Sequence, residues 1–241
     1  MKKTSVISIA LSNTGQRFSR MIFMKPTIKI DYVSDVACPW CAVGLGNLNR
    51  AINLLKDKIN FEVHFYPFEL NPNMPKGGQD AIEHLTEKYG LTADQVQANQ
   101  ANIRAKALEA GFKFHPEGRK RVYNTFDCHR LLYWAAKEYD LEKQAALKKE
   151  FLNTYFCLAV NMDDQENLIE AVIRAGLNGN RAREIINSNE FADEVRKEEA
   201  IYTNAGINSV PSTILNSQYL LQGALPPDAF VNAFEQILQK E

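Results

Sequence analysis

Cys38 and Cys41 stand three residues apart, with Pro39 and Trp40 between them, where an alternating run of residues gives way to a helical one. That junction constrains the chain more than any other feature. Upstream, Ile28, Ile30 and Tyr32 alternate with Lys29 and Asp31, the period of a strand. Downstream, Leu45, Leu48, Ile52 and Leu55 recur every three or four residues and predict a helix from about Cys38 to Lys58. Phe61, Val63 and Phe65 then alternate again. Strand, helix, strand is the βαβ unit of an α/β domain.

Three-residue spacing at a helix start brings both sulfurs to the same side of the first turn. The first N–H groups of a helix lack internal partners, and the helix dipole adds positive charge there, so thiolate is favoured at Cys38. Pro39 suits the first helical position because its φ is already right and no N–H is wanted. Trp40 can shield the pair and present an apolar surface. Cys38 is therefore the expected nucleophile of a mixed disulfide, and Cys41 the thiol that resolves it. A structural zinc site competes for the same motif, but it needs four ligands. There is no second Cys-x-x-Cys, and His64, His84, His115 and His129 are scattered. No metal is expected. Two inert core cysteines would leave the intervening Pro at a strand-to-helix junction unexplained.

Asn71–Gly78 is rich in Pro, Gly and Asn and reads as a connection. From about Gln79 to Ala205 the pattern is helical, with almost no strand alternation. Ile82, Leu85 and Tyr89 form one stripe, and Leu131, Ala135 and Tyr139 another. Gly90, Gly111, Gly118, Gly176 and Gly179 read as helix ends. Strand signals return at Pro211–Leu215 and Gln218–Leu221, separated by Asn216-Ser217, a hairpin-like turn. A last helix carries Phe230, Phe234, Ile237 and Leu238 on one face. The expected organisation is an α/β domain from residues 25–75 and 206–241, split by an all-helical insertion at 76–205. Val210-Pro211 opens the C-terminal strand. Locally it reads equally as a cis bond beside the cysteines or as a trans proline starting an edge strand.

With 28 basic and 29 acidic residues the formal charge is −1, which gives no general pull toward nucleic acid or anionic lipid. No run of 18 apolar residues suggests a membrane span. The first acidic residue is Asp31, after Lys2, Lys3, Arg17, Arg20 and Lys25. The apolar run Val6–Leu11 is six residues, too short for a secretory signal core. Residues 1–24 are read as an over-long or disordered arm, with Met21 or Met24 as alternative starts. A cytoplasmic location follows; export on a weak signal is the other reading.

Asp35-Val36-Ala37-Cys38-Pro39-Trp40-Cys41, Val43-Gly44, Phe68-Glu69-Leu70-Asn71-Pro72, Glu83-His84-Leu85, Lys88-Tyr89-Gly90, Asn124-Thr125, His129-Arg130-Leu131, Gly206-Ile207, Val210-Pro211 and Gly223-Ala224 together resemble the DsbA-like thioredoxin-fold family, and within it the FrnE-type subgroup. The likeness runs from about Ile28 to Phe230. It implies a thioredoxin fold with a helical insertion, a redox-active Cys38/Cys41 pair, and a cis Pro211 facing that pair. Ala42, Ser209 and Cys128 depart from the pattern, where an aromatic, a Gly and an Ala are usual. Cys128 is read as a small buried residue, with a third redox thiol as the alternative, and Cys157 as packing. His129 and Arg130 have two readings, a wall of the site or helix capping and inter-domain hydrogen bonding; buried polar groups on packed helices favour the second.

These residues point first to a protein dithiol–disulfide oxidoreductase acting on a protein or small-molecule thiol or disulfide, without a bound cofactor, glutathione being a candidate reductant. A glutathione-dependent isomerase or transferase of the kappa or hydroxychromene-carboxylate isomerase type shares the layout but typically has Ser at the position of Cys38. A chaperone-like peptide-binding module is the third reading. A monomer or a homodimer is expected.

Overall fold

The computed structural model describes residues 25–239. Residues 1–24, with both alternative starts, lie outside the described residues. Strand β1 (Thr27–Ser34) runs parallel to β2 (Asn60–Pro67), with helix α1 (Pro39–Leu55) between them. The expected helix thus begins one residue later and ends three residues earlier. Strands β5 (Ser212–Leu215) and β6 (Tyr219–Gln222) form a hairpin, and β5 pairs antiparallel with β1. Asn216 and Ser217 turn that hairpin with φ of 48° and 57°, the left-handed pair that matches the twist of two antiparallel strands. Sheet order is β2-β1-β5-β6, and α9 (Pro227–Leu238) follows.

The long segment between β2 and β5 is mostly helical: α2 (Ala81–Tyr89), α3 (Ala93–Glu109), α4 (Phe126–Glu138), α5 (Leu141–Leu152), α6 (Gln165–Arg174), α7 (Gly179–Ile186) and α8 (Ala192–Asn204). Two details differ from the sequence reading. Gln79–Asp80 (β3) and Arg121–Val122 (β4) pair as a small antiparallel ladder, and two residues per strand leave no alternation to detect. Gly179 opens α7 behind Asn178, whose side chain accepts from the Asn180 and Arg181 N–H groups, instead of closing α6. One π turn, Asn153–Cys157, prolongs α5 and presents Tyr155 and Phe156. This is a thioredoxin fold with a helical insertion.

The insertion is joined to the sheet by packing and polar clamps. Phe61 of β2 meets Phe234 of α9 at 4.9 Å, while Tyr66, on the opposite face of the strand, meets Tyr202 of α8 at 4.8 Å. The buried Gln144 amide of α5 accepts from the Phe65 N–H at 3.1 Å and donates to the Phe65 carbonyl at 2.9 Å. A single apolar core accordingly runs from Ile30 and Leu48 through Leu131, Phe151 and Val172.

α1 is held against α3 at Gly46, where a Cβ would overlap the Ala110 carbonyl oxygen and lie 2.9 Å from the Ala110 Cβ. Both partners are backbone-fixed, so neither can yield cheaply. Gly46→Ala is expected to destabilise the protein by about 1–3 kcal/mol, as overpacking does. Urea unfolding would measure it, and an unchanged midpoint would contradict the tight approach.

Candidate active site

The segment from the end of β1 to the start of α1 is shaped by Asp35. Its carboxylate is fully buried and accepts from the Ala37 N–H at 3.0 Å, the Leu70 N–H at 2.7 Å and the Thr125 hydroxyl at 2.8 Å. His129 Nε2 stands 3.5 Å from the same oxygen as Thr125. Burial works to raise the Asp35 carboxyl, but His129 and these hydrogen bonds outweigh it and hold the group below its ordinary value. The loop is thereby tied to the end of β2 and to the start of α4. From the other side, the Arg119 guanidinium donates to the Ala37 carbonyl and packs over the rings of Tyr155 and Phe156.

Held in this way, Cys38 occupies the N-cap of α1 with extended backbone and no side-chain cap bond, and Pro39 fills the first helical position. Its sulfur therefore remains available in the field of the unpaired N–H groups. Cys38 is 4% exposed and Cys41 fully buried. Cys38 Sγ lies 3.6 Å from the Val210 carbonyl oxygen, and the Val210–Pro211 bond is cis. The absence of a side chain at Gly44 makes this approach feasible: a Cβ there would stand 2.8 Å from the Tyr32 hydroxyl and 3.0 Å from Pro211 Cγ. Tyr32 in turn donates to the Cys41 carbonyl at 2.8 Å.

The two thiols are driven apart electrostatically. A hydrogen bond from the Cys41 thiol pulls Cys38 below the usual thiol value against the cost of burial, aided by the Cys41 N–H and the Arg119 charge and opposed by Asp35. Burial pushes Cys41 well up, and its contacts with Cys38 push it further. Of the two, Cys38 is thus the thiol that ionises more readily. Alkylation of the reduced protein by iodoacetamide is expected to modify Cys38 first, with a midpoint below that of an ordinary cysteine. Arg119→Gln should move that midpoint upward. A midpoint at or above the ordinary thiol value in the wild type would contradict the arrangement.

A groove of about 800 Å³ opens over Cys38, Pro39 and Trp40 and passes between the Val210 loop and the helices α2 and α3. Trp40 is 37% exposed at its edge. The structure therefore brings Cys38, Cys41, Pro39, Trp40, Val210 and Pro211 together. His129 and Arg130 stand outside the groove lining. His129 lies behind the loop at Asp35. Arg130 is buried on α4 and spends its donors on Asp127 and on the carbonyls of Ile185, Ser188 and Glu190, joining α4 to the end of α7. Cys128 is buried, and burial pushes its thiol well up; Cys157 is half-buried on the π turn. Among the described residues, no three His, Cys, Asp or Glu converge as metal ligands, and no helix is long and apolar enough to cross a membrane.

Sequence reasoning missed the roles of Asp35, Thr125, Arg119 and Lys148. Asp35 and Thr125 were visible only as parts of the resemblance. Lys148 of α5 is fully buried, its ammonium has no hydrogen-bond partner among the described residues, and its charge acts on Cys41, Asp35 and both other buried thiols. Nothing local marks it, since lysine at a helical position normally reads as surface.

Fold and site together define a thioredoxin-fold protein with a paired-thiol centre at a helix N-terminus. Residues 29–235 match the family described as DSBA-like thioredoxin domain, and the chain belongs to it. The structure is similar to that of the probable DsbA oxidoreductase SCO1869 from Streptomyces coelicolor, with 31% identity, a TM-score of 0.81 and coverage of 89% of this chain and 91% of that one. The Bacillus subtilis (strain 168) protein YwbO is 25% identical over 217 residues, 89% of this chain and all of YwbO. A 2-hydroxychromene-2-carboxylate isomerase shares the fold, at 12% identity, a TM-score of 0.65 and coverage of 88% and 97%. Family membership supports a redox or isomerase role.

Proposed function

We propose that the protein is a dithiol–disulfide oxidoreductase in which Cys38 is the nucleophile and Cys41 the resolving thiol. The observation that carries this reading is the placement of the two sulfurs, Cys38 at the N-cap of α1 with its Sγ 3.6 Å from the Val210 carbonyl oxygen and Cys41 fully buried in the first turn of the same helix. The Cys38 thiolate attacks one sulfur of a substrate disulfide, the S–S bond breaks, and the leaving thiolate takes up a proton. Once Cys38 is bonded to substrate its negative charge is gone, and the part of the obstacle to ionising Cys41 that Cys38 adds to burial goes with it. Cys41 then loses its proton and attacks Cys38 Sγ, releasing the second substrate thiol. Two electrons pass from the dithiol to the substrate, and the reverse sequence oxidises a substrate dithiol.

Val210, half-buried with its carbonyl at Cys38, is the backbone group best placed to pair with an extended substrate segment beside Pro211. A reducing compartment, the cytoplasm, suits the reductase direction of this reading. The presence of a second sulfur supports this chemistry over that of a single-thiol transferase or isomerase. The test is catalysed reduction of a model protein disulfide by wild type and Cys38→Ser. Wild-type turnover that disappears in Cys38→Ser is expected; equal rates would sink the proposal and favour a binding module instead.

A further inference from the structure

The groove over Cys38 gathers three cations that form no ion pair among the described residues. Lys88 of α2, Arg104 of α3 and Arg119, just before β4, all line it. The Lys88 ammonium donates to the Leu70 carbonyl and to Asn71 Oδ1, both at 2.7 Å and both uncharged. Arg119 donates to the uncharged Ala37 carbonyl, which leaves most of its donors unused. Arg104 is half-buried and has no hydrogen-bond or ion-pair partner among the described residues. Glu69 is the one acidic group among the lining residues, and Arg196, which also bonds Glu199 at 2.6 Å, takes it. Asp35 is sealed beneath the loop with its oxygens engaged, so it cannot meet a ligand.

The cations also repel one another. Burial pushes the Lys88 ammonium down and Arg119 adds to this, with Asp35 opposing. His84, on the same wall, is pushed down by burial and then by Lys88 and Arg119, with Glu87 opposing. Elsewhere the chain pairs its arginines readily: Arg181 with Glu138 and Glu190, Arg174 with Glu150, Arg183 with Glu166. Unpaired positive charge is thus concentrated in one low-dielectric concavity beside Cys38, an arrangement that focuses anions.

We propose that the groove selects anionic disulfides, substrates whose carboxylates flank the S–S bond and are met by Lys88, Arg104 and Arg119 while Cys38 attacks. This rests on the oxidoreductase reading above. The reduced protein gives up two electrons: the disulfide RSSR becomes two RSH, and Cys38 and Cys41 become a disulfide. Carboxylates could come from a small disulfide such as glutathione disulfide or from Asp and Glu beside a cystine in a polypeptide; the recognising chemistry is the same.

The test is single-turnover oxidation of the reduced full-length protein, wild type against Lys88→Gln/Arg104→Gln. The probes are glutathione disulfide, the neutral bis(2-hydroxyethyl) disulfide, and two disulfide-linked peptides that differ only in Glu or Lys beside the cysteine. Each rate is divided by that of the same probe with a free thiol. The anionic-to-neutral rate ratio is expected to fall about tenfold in the double variant, the low end of electrostatic focusing. Added salt should erode the wild-type preference in the same direction. A fall with glutathione disulfide alone assigns a small substrate, and a fall in the Glu-to-Lys peptide ratio alone assigns a polypeptide; either supports the inference. An unchanged ratio in both series overturns it while leaving the oxidoreductase reading intact. No reaction of the wild type with any probe, neutral included, would instead defeat the oxidoreductase reading and this inference with it.

Discussion

Cys41→Ser is expected to turn the protein into a trap for its substrate, with catalytic turnover lost and a mixed disulfide accumulating on Cys38. The expectation follows from how the two sulfurs divide the work. Attack needs only the Cys38 thiolate, which sits at the helix N-cap beside Arg119 and does not depend on Cys41 alone for its stabilisation. Release needs a second sulfur within reach of Cys38, and the other cysteines lie on α4 and on the π turn, with thiols that burial pushes up. Serine cannot replace that sulfur in thiol–disulfide exchange. The Ser hydroxyl still donates a hydrogen bond, so the first step should survive with a somewhat raised Cys38 midpoint. Intact mass spectrometry after mixing with a model disulfide should show one substrate thiol added per chain. Multiple turnovers by Cys41→Ser, or an adduct on Cys128, would contradict the assignment.

The second large effect is expected at Asp35. Asp35→Ala should cost about 3–5 kcal/mol, the range for removing one member of a buried charged cluster. The substitution leaves the Ala37 and Leu70 N–H groups and the Thr125 hydroxyl facing a cavity without their acceptor. Asp35→Asn keeps one acceptor oxygen and should lose less. Because the folded carboxyl lies below its ordinary value, its contribution is present above the unfolded aspartate value, about 3.9, and is lost as pH falls through the folded value. Wild-type stability should therefore drop in that acid window, and Asp35→Asn should lack that part of the drop. Asp35 also opposes ionisation of Cys38, so Asp35→Asn should lower the alkylation midpoint even as it weakens the fold. Urea unfolding across pH reads the first effect and alkylation the second. A loss below about 1 kcal/mol for Asp35→Ala would mean that the cluster is not what holds the loop.

The legible parts of this protein were those whose cause is local. Alternation at Ile28–Tyr32, the helical repeat through Leu45 and Leu55, and the Asn216-Ser217 turn each depend on neighbours a few residues away, and each element is present with ends shifted by a few residues. Cys38 and Cys41 were legible for the same reason, since their chemistry is set by one helix start. The groove walls and the charges that tune the sulfurs were not. Thr125 meets Asp35 across 90 residues, and Arg119 meets Ala37 across 82. Neither residue stands out from its own surroundings, so only the packed insertion shows what it does. Lys148 is harder still, because burying an unpaired ammonium runs against the usual preference of lysine for solvent.

The Gln144 clamp has a consequence for how the sheet ends. β2 is an outer strand, and an outer strand presents unpaired peptide groups to which another chain can add. A primary amide carries the same donor and acceptor as a peptide unit, and Gln144 offers both to Phe65, standing in for a missing neighbour strand at that position. The insertion therefore terminates the sheet as well as roofing the thiol pair. A chain shortened by excising the insertion would keep Cys38 and Cys41 but expose a raw β edge, and it should self-associate where the full chain does not grow by strand addition at β2.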